Sequence, residues 1–86
     1  MITIRDFYTS RCVPCQQLAP VLEKIANEND DVKLVKIDCE KNLELAIAEG
    51  IRSVPVLIIE SDNGDVVRLN GMQTEASILK EIDLLR

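Results

Sequence analysis

The chain has no histidine and no tryptophan, and its 86 residues hold one phenylalanine, one tyrosine and three each of glycine, proline and cysteine. With Phe7 and Tyr8 as the whole aromatic complement, the core is aliphatic, packed from Ile, Leu and Val. Three unevenly spaced cysteines do not make the framework of a disulfide-stapled secreted domain. A tetrahedral zinc site would need Cys12, Cys15, Cys39 and a carboxylate, since no histidine can supply a ligand. The glycines stand apart at Gly50, Gly64 and Gly71, so there is no glycine-rich phosphate loop, and no metal, nucleotide or flavin site is expected. No apolar run approaches the roughly 20 residues that span a bilayer, and no basic region followed by a long apolar stretch opens the chain. No basic block interrupts a net charge of −5, which disfavours nucleic acid and anionic membrane as partners.

What is present is a single-domain length, residues 1–86, with 47% hydrophobic residues, enough for a modest core. The sequence predicts a strand over Ile2–Tyr8. A helical pattern follows from about Gln16, with Leu18, Val21, Leu22 and Ile25 at helical spacing, ending between Asn27 and Asp30. Val32–Ile37 reads as a second strand; Leu43, Ala46 and Ile47 suggest a short helix closed by Gly50. Val54–Ile59 and Asp65–Leu69 flank the hairpin signal Asn63-Gly64, and Thr74 is placed to cap a last helix carrying Ile78, Leu79, Ile82 and Leu85. Two βα units followed by a hairpin, βαβαββα, imply an α/β fold with a four-stranded mixed sheet flanked by three helices.

Cys12-Val13-Pro14-Cys15 sits where the first strand hands over to the first helix. Unpaired N–H groups and the positive end of the helix dipole favour thiolate over thiol at Cys12. Cys15, one turn on, can attack a mixed disulfide formed at Cys12, which completes a two-electron exchange without a cofactor. Cys12 is therefore the expected exposed attacker and Cys15 the shielded resolving thiol; half of a zinc site is the competing reading. Pro14 fits the first helical turn, where a missing N–H costs least. Pro20, inside the helix, breaks one backbone hydrogen bond and should kink it. Cys39, at a strand end, reads as a small buried hydrophobe, with a regulatory or intermolecular disulfide as the alternative. Glu40, Glu44 and Glu49 read as a solvated face of the second helix.

These segments resemble the thioredoxin family over nearly the whole chain. Asp6–Cys15 is similar to its Asp-Phe-Trp-Ala-x-Trp-Cys-Gly-Pro-Cys, Ala19–Ala26 to its Ala-Pro-x-(Leu/Phe)-x-x-(Ile/Leu)-Ala helix, Gly50–Pro55 to its Gly-Ile-Arg-x-(Ile/Val)-Pro, and Asn70-Gly71 to its glycine after the last strand. The chain departs from that pattern at Tyr8, Arg11, Val13 and Gln16, and it starts on what would be the motif strand, without the family's amino-terminal strand and helix. A core this short also resembles small glutaredoxin-like proteins.

The resemblance implies a minimal thioredoxin fold and a protein-disulfide reductase. It makes Pro55 a cis-proline, although only about 5% of X-Pro bonds in folded proteins are cis. Val13, Ser53, Val54, Pro55 and Gly71 would line the substrate groove. Pro14, directly before the second cysteine, is similar to the reducing members. Asp6 shares strand parity with Ile2 and Ile4, so it is buried if that face is, with a raised pKa; an exposed charge near a strand end is the alternative. By resemblance Asp6 would take the proton of Cys15. Aligned with the family, Leu34 stands where a buried lysine accompanies that acid, which ranks Lys36 low. The implied partners are disulfide-containing protein substrates and an electron-donating reductase of the thioredoxin reductase kind, acting on a monomer in the cytoplasm. A glutathione-dependent, glutaredoxin-like reductase and a non-enzymatic binding module on the same fold are the alternatives.

Overall fold

A computed structural model describes all 86 residues. The elements are β1 (Ile2–Tyr8), α1 (Val13–Glu28), β2 (Val32–Asp38), α2 (Leu43–Ala48), β3 (Val56–Ser61), β4 (Val66–Asn70) and α3 (Glu75–Leu85). The sheet order is β2-β1-β3-β4; β1 runs parallel to β2 and antiparallel to β3, and β3 antiparallel to β4. This is the expected mixed sheet: a parallel pair needs a crossover, which α1 supplies, while the antiparallel β3–β4 pair needs only a short turn. The third strand starts at Val56, two residues later than the apolar run suggests, so Val54 and Pro55 belong to the preceding loop.

Strand alternation divides the core. Ile2 and Ile4 of β1, with Leu57 and Ile59 of β3, face Leu18, Leu22 and Ile25 of α1 and Ile78 and Ile82 of α3. Phe7, Val56 and Ile58 face the other way, toward Ala46 of α2, together with Ile37 and Cys39. Val56–Ile59 is continuously apolar because β3 is buried on both faces. Full burial of a Leu, Ile or Phe side chain is worth about 1.5–3 kcal/mol, so these two clusters hold the layers together.

The second helix differs from its sequence pattern. Leu43 and Ile47 point outward, 63% and 76% exposed, and only Ala46 is buried. Six residues give less than two turns, and the apolar contact beneath Ala46 is made instead by Ile51. Gly50, with φ +68°, turns the chain back so that its own N–H reaches Ile47 O at 3.0 Å and the Ile51 N–H reaches Ala46 O at 2.9 Å. That pair of bonds satisfies two carbonyls left open at a helix end and favours glycine at the turning residue. Glu49 is not simply solvated. Arg5 bonds Glu60 at 2.6 Å and Glu49 at 3.1 Å, and its guanidinium lies 5.5 Å from the Phe7 ring centroid. A charged cluster thus covers the sheet beyond the reach of α2. In α3 the cap forms as expected, with the Ser77 N–H donating to Thr74 Oγ1 at 3.1 Å.

Candidate active site

The first helix begins at Val13 rather than near Gln16. Its opening residues Val13 and Pro14 are exposed and carry no core-facing periodicity, so the apolar pattern starts late; the proline at the second helical position marks the start. The helix continues through Pro20 to Glu28. Cys12 is the N-cap, in extended backbone (φ −88°, ψ 105°), and its Sγ accepts the Cys15 N–H at 3.2 Å. An N–H aimed at sulfur from a helix N-terminus favours the thiolate over the thiol. The two cysteines are joined as a disulfide, with Cα atoms 5.2 Å apart. Cys12 is half-buried and Cys15 is buried, so one sulfur faces outward and the other faces the core.

Asp6 lies beneath, on the α1 side of the sheet. Only 2% of it is exposed, and its Oδ1 has no hydrogen-bond partner. Burial pushes the Asp6 carboxyl up to about 6, against a smaller downward pull from the Lys36 charge. Asp6 and Cys15 share a cavity of about 180 Å³ with Tyr8, Gln16, Ala19 and Lys36. The structure overturns the low ranking of Lys36. The β1–β2 register pairs Asp6 with Lys36 and Ile4 with Leu34, so Lys36 stands beside the acid. The ammonium itself bonds Glu23 Oε1 at 2.5 Å, which raises the lysine's pKa.

The register also gathers the remaining residues. Phe7 pairs with Val56 and Val56 with Asn70, so β1 ends, β3 begins and β4 ends at one edge of the sheet. Cys12, Cys15, Pro55 and Gly71 emerge there. The Val54–Pro55 bond is cis, Pro55 is buried, and the Gly71 N–H donates to Pro55 O at 2.8 Å. Gly71 takes φ +81° to do so. Ser53 is exposed in the preceding loop, Val54 is half-buried, and Val13 is 58% exposed beside the cysteines.

Sequence reasoning missed the residues that hold the loop before Cys12. The Ser10 N–H and Oγ–H donate to Glu40 Oε1 at 3.3 and 3.1 Å, and Gln16 Nε2 donates to Ser10 O at 3.1 Å. The first links two loops and the second a helix to a loop, and neither leaves a periodic signal. Cys39 is buried with Phe7 and Ala46 on the opposite face from Asp6 and Cys15, so the three thiols do not form one site. Burial, then the charges of Asp38 and Asp6, push its thiol pKa up.

A Cys-x-x-Cys disulfide at the N-terminus of the helix that leaves a central strand, in a four-stranded mixed sheet, defines a thiol–disulfide oxidoreductase. The thioredoxin family model matches residues 2–84. A thioredoxin-like protein of Synechocystis is 32% identical over 80 residues, 92% of this chain and 76% of that protein. The thioredoxin of Mycobacterium tuberculosis is 38% identical over 78 residues, 90% of this chain and 67% of that protein. Among solved structures, a mutant thioredoxin from Halobacterium salinarum superposes with a TM-score of 0.90 at 37% identity, over 98% of this chain and 74% of that one. Chloroplastic thioredoxin z gives a TM-score of 0.91 at 31% identity, over 99% of this chain and 78% of that one. The chain belongs to the thioredoxin family. It spans about two thirds to three quarters of the length of these relatives. No helix is long and apolar enough to cross a membrane.

Proposed function

We propose that this chain reduces protein disulfides, with residues 1–86 acting as one domain. The observation that carries the reading is the division of labour between an outward Cys12 at the helix N-terminus and a buried Cys15 sharing a cavity with Asp6. The Cys12 thiolate attacks a substrate disulfide, forming a Cys12–substrate disulfide and expelling the first substrate thiolate. Cys15 then gives its proton to the Asp6 carboxylate and attacks Cys12 Sγ. The Cys12–Cys15 disulfide forms, the second substrate thiolate leaves, and two electrons have passed to the substrate. Pro14 rigidifies the turn that holds both sulfurs. Val13, Ser53, Val54, Pro55 and Gly71 line the groove in which an extended substrate segment pairs with backbone. The partners are disulfide-containing proteins and a reductase of the thioredoxin reductase kind that returns two electrons and two protons. The chain acts as a cytoplasmic monomer in electron transport and redox homeostasis, with no nucleic acid or membrane partner.

Catalysed reduction of insulin disulfides tests this, with dithiothreitol, with a thioredoxin reductase and NADPH, or with glutathione as donor, and with Cys12→Ser as control. Cysteine-dependent activity with dithiothreitol and the reductase is the expected result. Activity carried mainly by glutathione moves the chain to the glutaredoxin-like class. Equal rates for wild type and Cys12→Ser under every donor refute a general reductase and leave a substrate-restricted enzyme or a binding module.

A further inference from the structure

Lys36 stands between two carboxylates. It pairs with Asp6 in the β1–β2 register, projects to the same face and lines the same cavity, which makes its ammonium the cation placed to neutralise the buried acid. Its ion pair is with Glu23 instead, at 2.5 Å, with both side chains about half exposed. Glu23 follows Ala19 by one helical turn on α1. Ala19 lines the cavity, so Glu23 stands one turn beyond it, beside the route along which the lysine stem would swing inward. The small Ala19 side chain and the open cavity leave room for that swing. An ammonium drawn to Asp6 would lose part of its hydration but would compensate a carboxylate whose Oδ1 has no partner.

We propose that Glu23 is a positioning residue for the dithiol reaction: it tethers the Lys36 ammonium away from Asp6 and so leaves the buried carboxyl uncompensated and able to exchange a proton beside Cys15. The inference rests on the reading that Asp6 is the proton acceptor for Cys15. The charged and titratable groups around Asp6 bear on it, Asp38 included, which follows Lys36 by two residues on the same face of β2. Tyr8 of β1, Lys36 of β2 and Cys15 of α1 line the cavity, Cys39 acts across the sheet, Glu23 acts through Lys36, and the β3 neighbour Leu57 is apolar. Without Glu23, Asp6 is the carboxylate directly opposite the lysine in the β1–β2 register, with Asp38 two residues further along the same face of β2, and a lysine drawn to Asp6 makes the acid ionise more easily.

The test is a carbon-detected NMR titration of the Asp6 carboxyl in the oxidised protein, where Cys12 and Cys15 do not titrate. Wild type, Glu23→Gln, Lys36→Gln and the double variant are compared. Glu23→Gln should lower the Asp6 midpoint by about 1 pH unit, the effect of a cation brought within about 4–6 Å. Lys36→Gln should raise it, and Glu23→Gln should have no effect when Lys36 is already absent. An unchanged midpoint in Glu23→Gln overturns the proposal. So does an equal drop with and without Lys36, which would mean that Glu23 acts only through its own charge. The pH profile of mixed-disulfide resolution, measured on the same proteins, separates the two readings. If the Asp6 midpoint moves as expected and the resolution profile does not follow, the tether stands and the role of Asp6 in resolution falls.

Discussion

Replacing Asp6 with asparagine should flatten the pH dependence of stability in the oxidised protein, so that the variant gains on wild type as pH rises from 3 to 8. The carboxyl sits at about 6 in the fold against 3.8 for the free group. Between those values the folded state binds more protons than the unfolded one, so the stability associated with the protonated acid is fully present below 3.8. It is lost as pH rises through about 6 and stays lost above. The displacement corresponds to about 3 kcal/mol, the work of holding a charged carboxylate where only 2% of the residue meets solvent. The introduced side chain has its own imperfectly paired amide, which costs about 1–3 kcal/mol at any pH. The informative quantity is therefore the difference between variant and wild type at pH 8 minus the same difference at pH 3, expected to be about 3 kcal/mol. At about 4–8 °C per kcal/mol for a domain of this size, that is a relative shift of about 12 °C or more in melting temperature. Guanidinium unfolding of both disulfide-locked proteins at pH 3, 5, 7 and 8 measures it. Other carboxylates titrate alike in the two proteins and cancel. Parallel stability curves, offset by a constant, would refute the reasoning, because they would mean that the Asp6 carboxyl ionises equally well in the fold and in the unfolded chain.

Two further substitutions probe the core and the turn at Gly71. Leu22→Ala empties a site with 0% exposure between α1 and the sheet and should lower stability by about 2–5 kcal/mol in guanidinium unfolding, depending on how far the layers collapse. Gly71→Ala meets no heavy atom within 4 Å of the added Cβ, so only its φ of +81° resists the change; a loss of about 1–2 kcal/mol is expected by thermal unfolding, with an unchanged circular dichroism spectrum.

The strands, the order of elements and the dithiol were legible because each leaves a local mark. Val56–Ile59 is apolar throughout because it is covered on both faces, Asn63-Gly64 marks the hairpin, and Thr74 with its Ser77 N–H makes a cap. The parity of Asp6 with Ile2 and Ile4 foretold its burial, since a strand alternates faces. The errors lie where packing overrides pattern. Leu43 and Ile47 carry helical spacing, yet α2 is too short to seat them, and Ile51 fills the space from beyond the helix. Val13 and Pro14, which open α1, are exposed, so the helix start has no apolar period to read. Lys36 was misplaced because matching residue types along β2 does not set its pairing with β1; that register is a contact between segments 30 residues apart. For the same reason the ties of Glu23 to Lys36 and of Glu40 to Ser10 had no signature in either segment alone.

The register of β1 has a consequence for how this chemistry can be altered. Asp6 and Phe7 are consecutive, and they fill opposite layers: the acid lies under α1 and the ring under α2. A slip of one residue against β2 and β3 would exchange them, seating a charge among Val56, Ile58 and Ala46 and a phenyl ring in the cavity behind Cys15. Both errors are expensive, and they come together. The placement of β1 is thus constrained twice by one alignment, and any variant that retains Asp6 and this register keeps the acid under the sulfur.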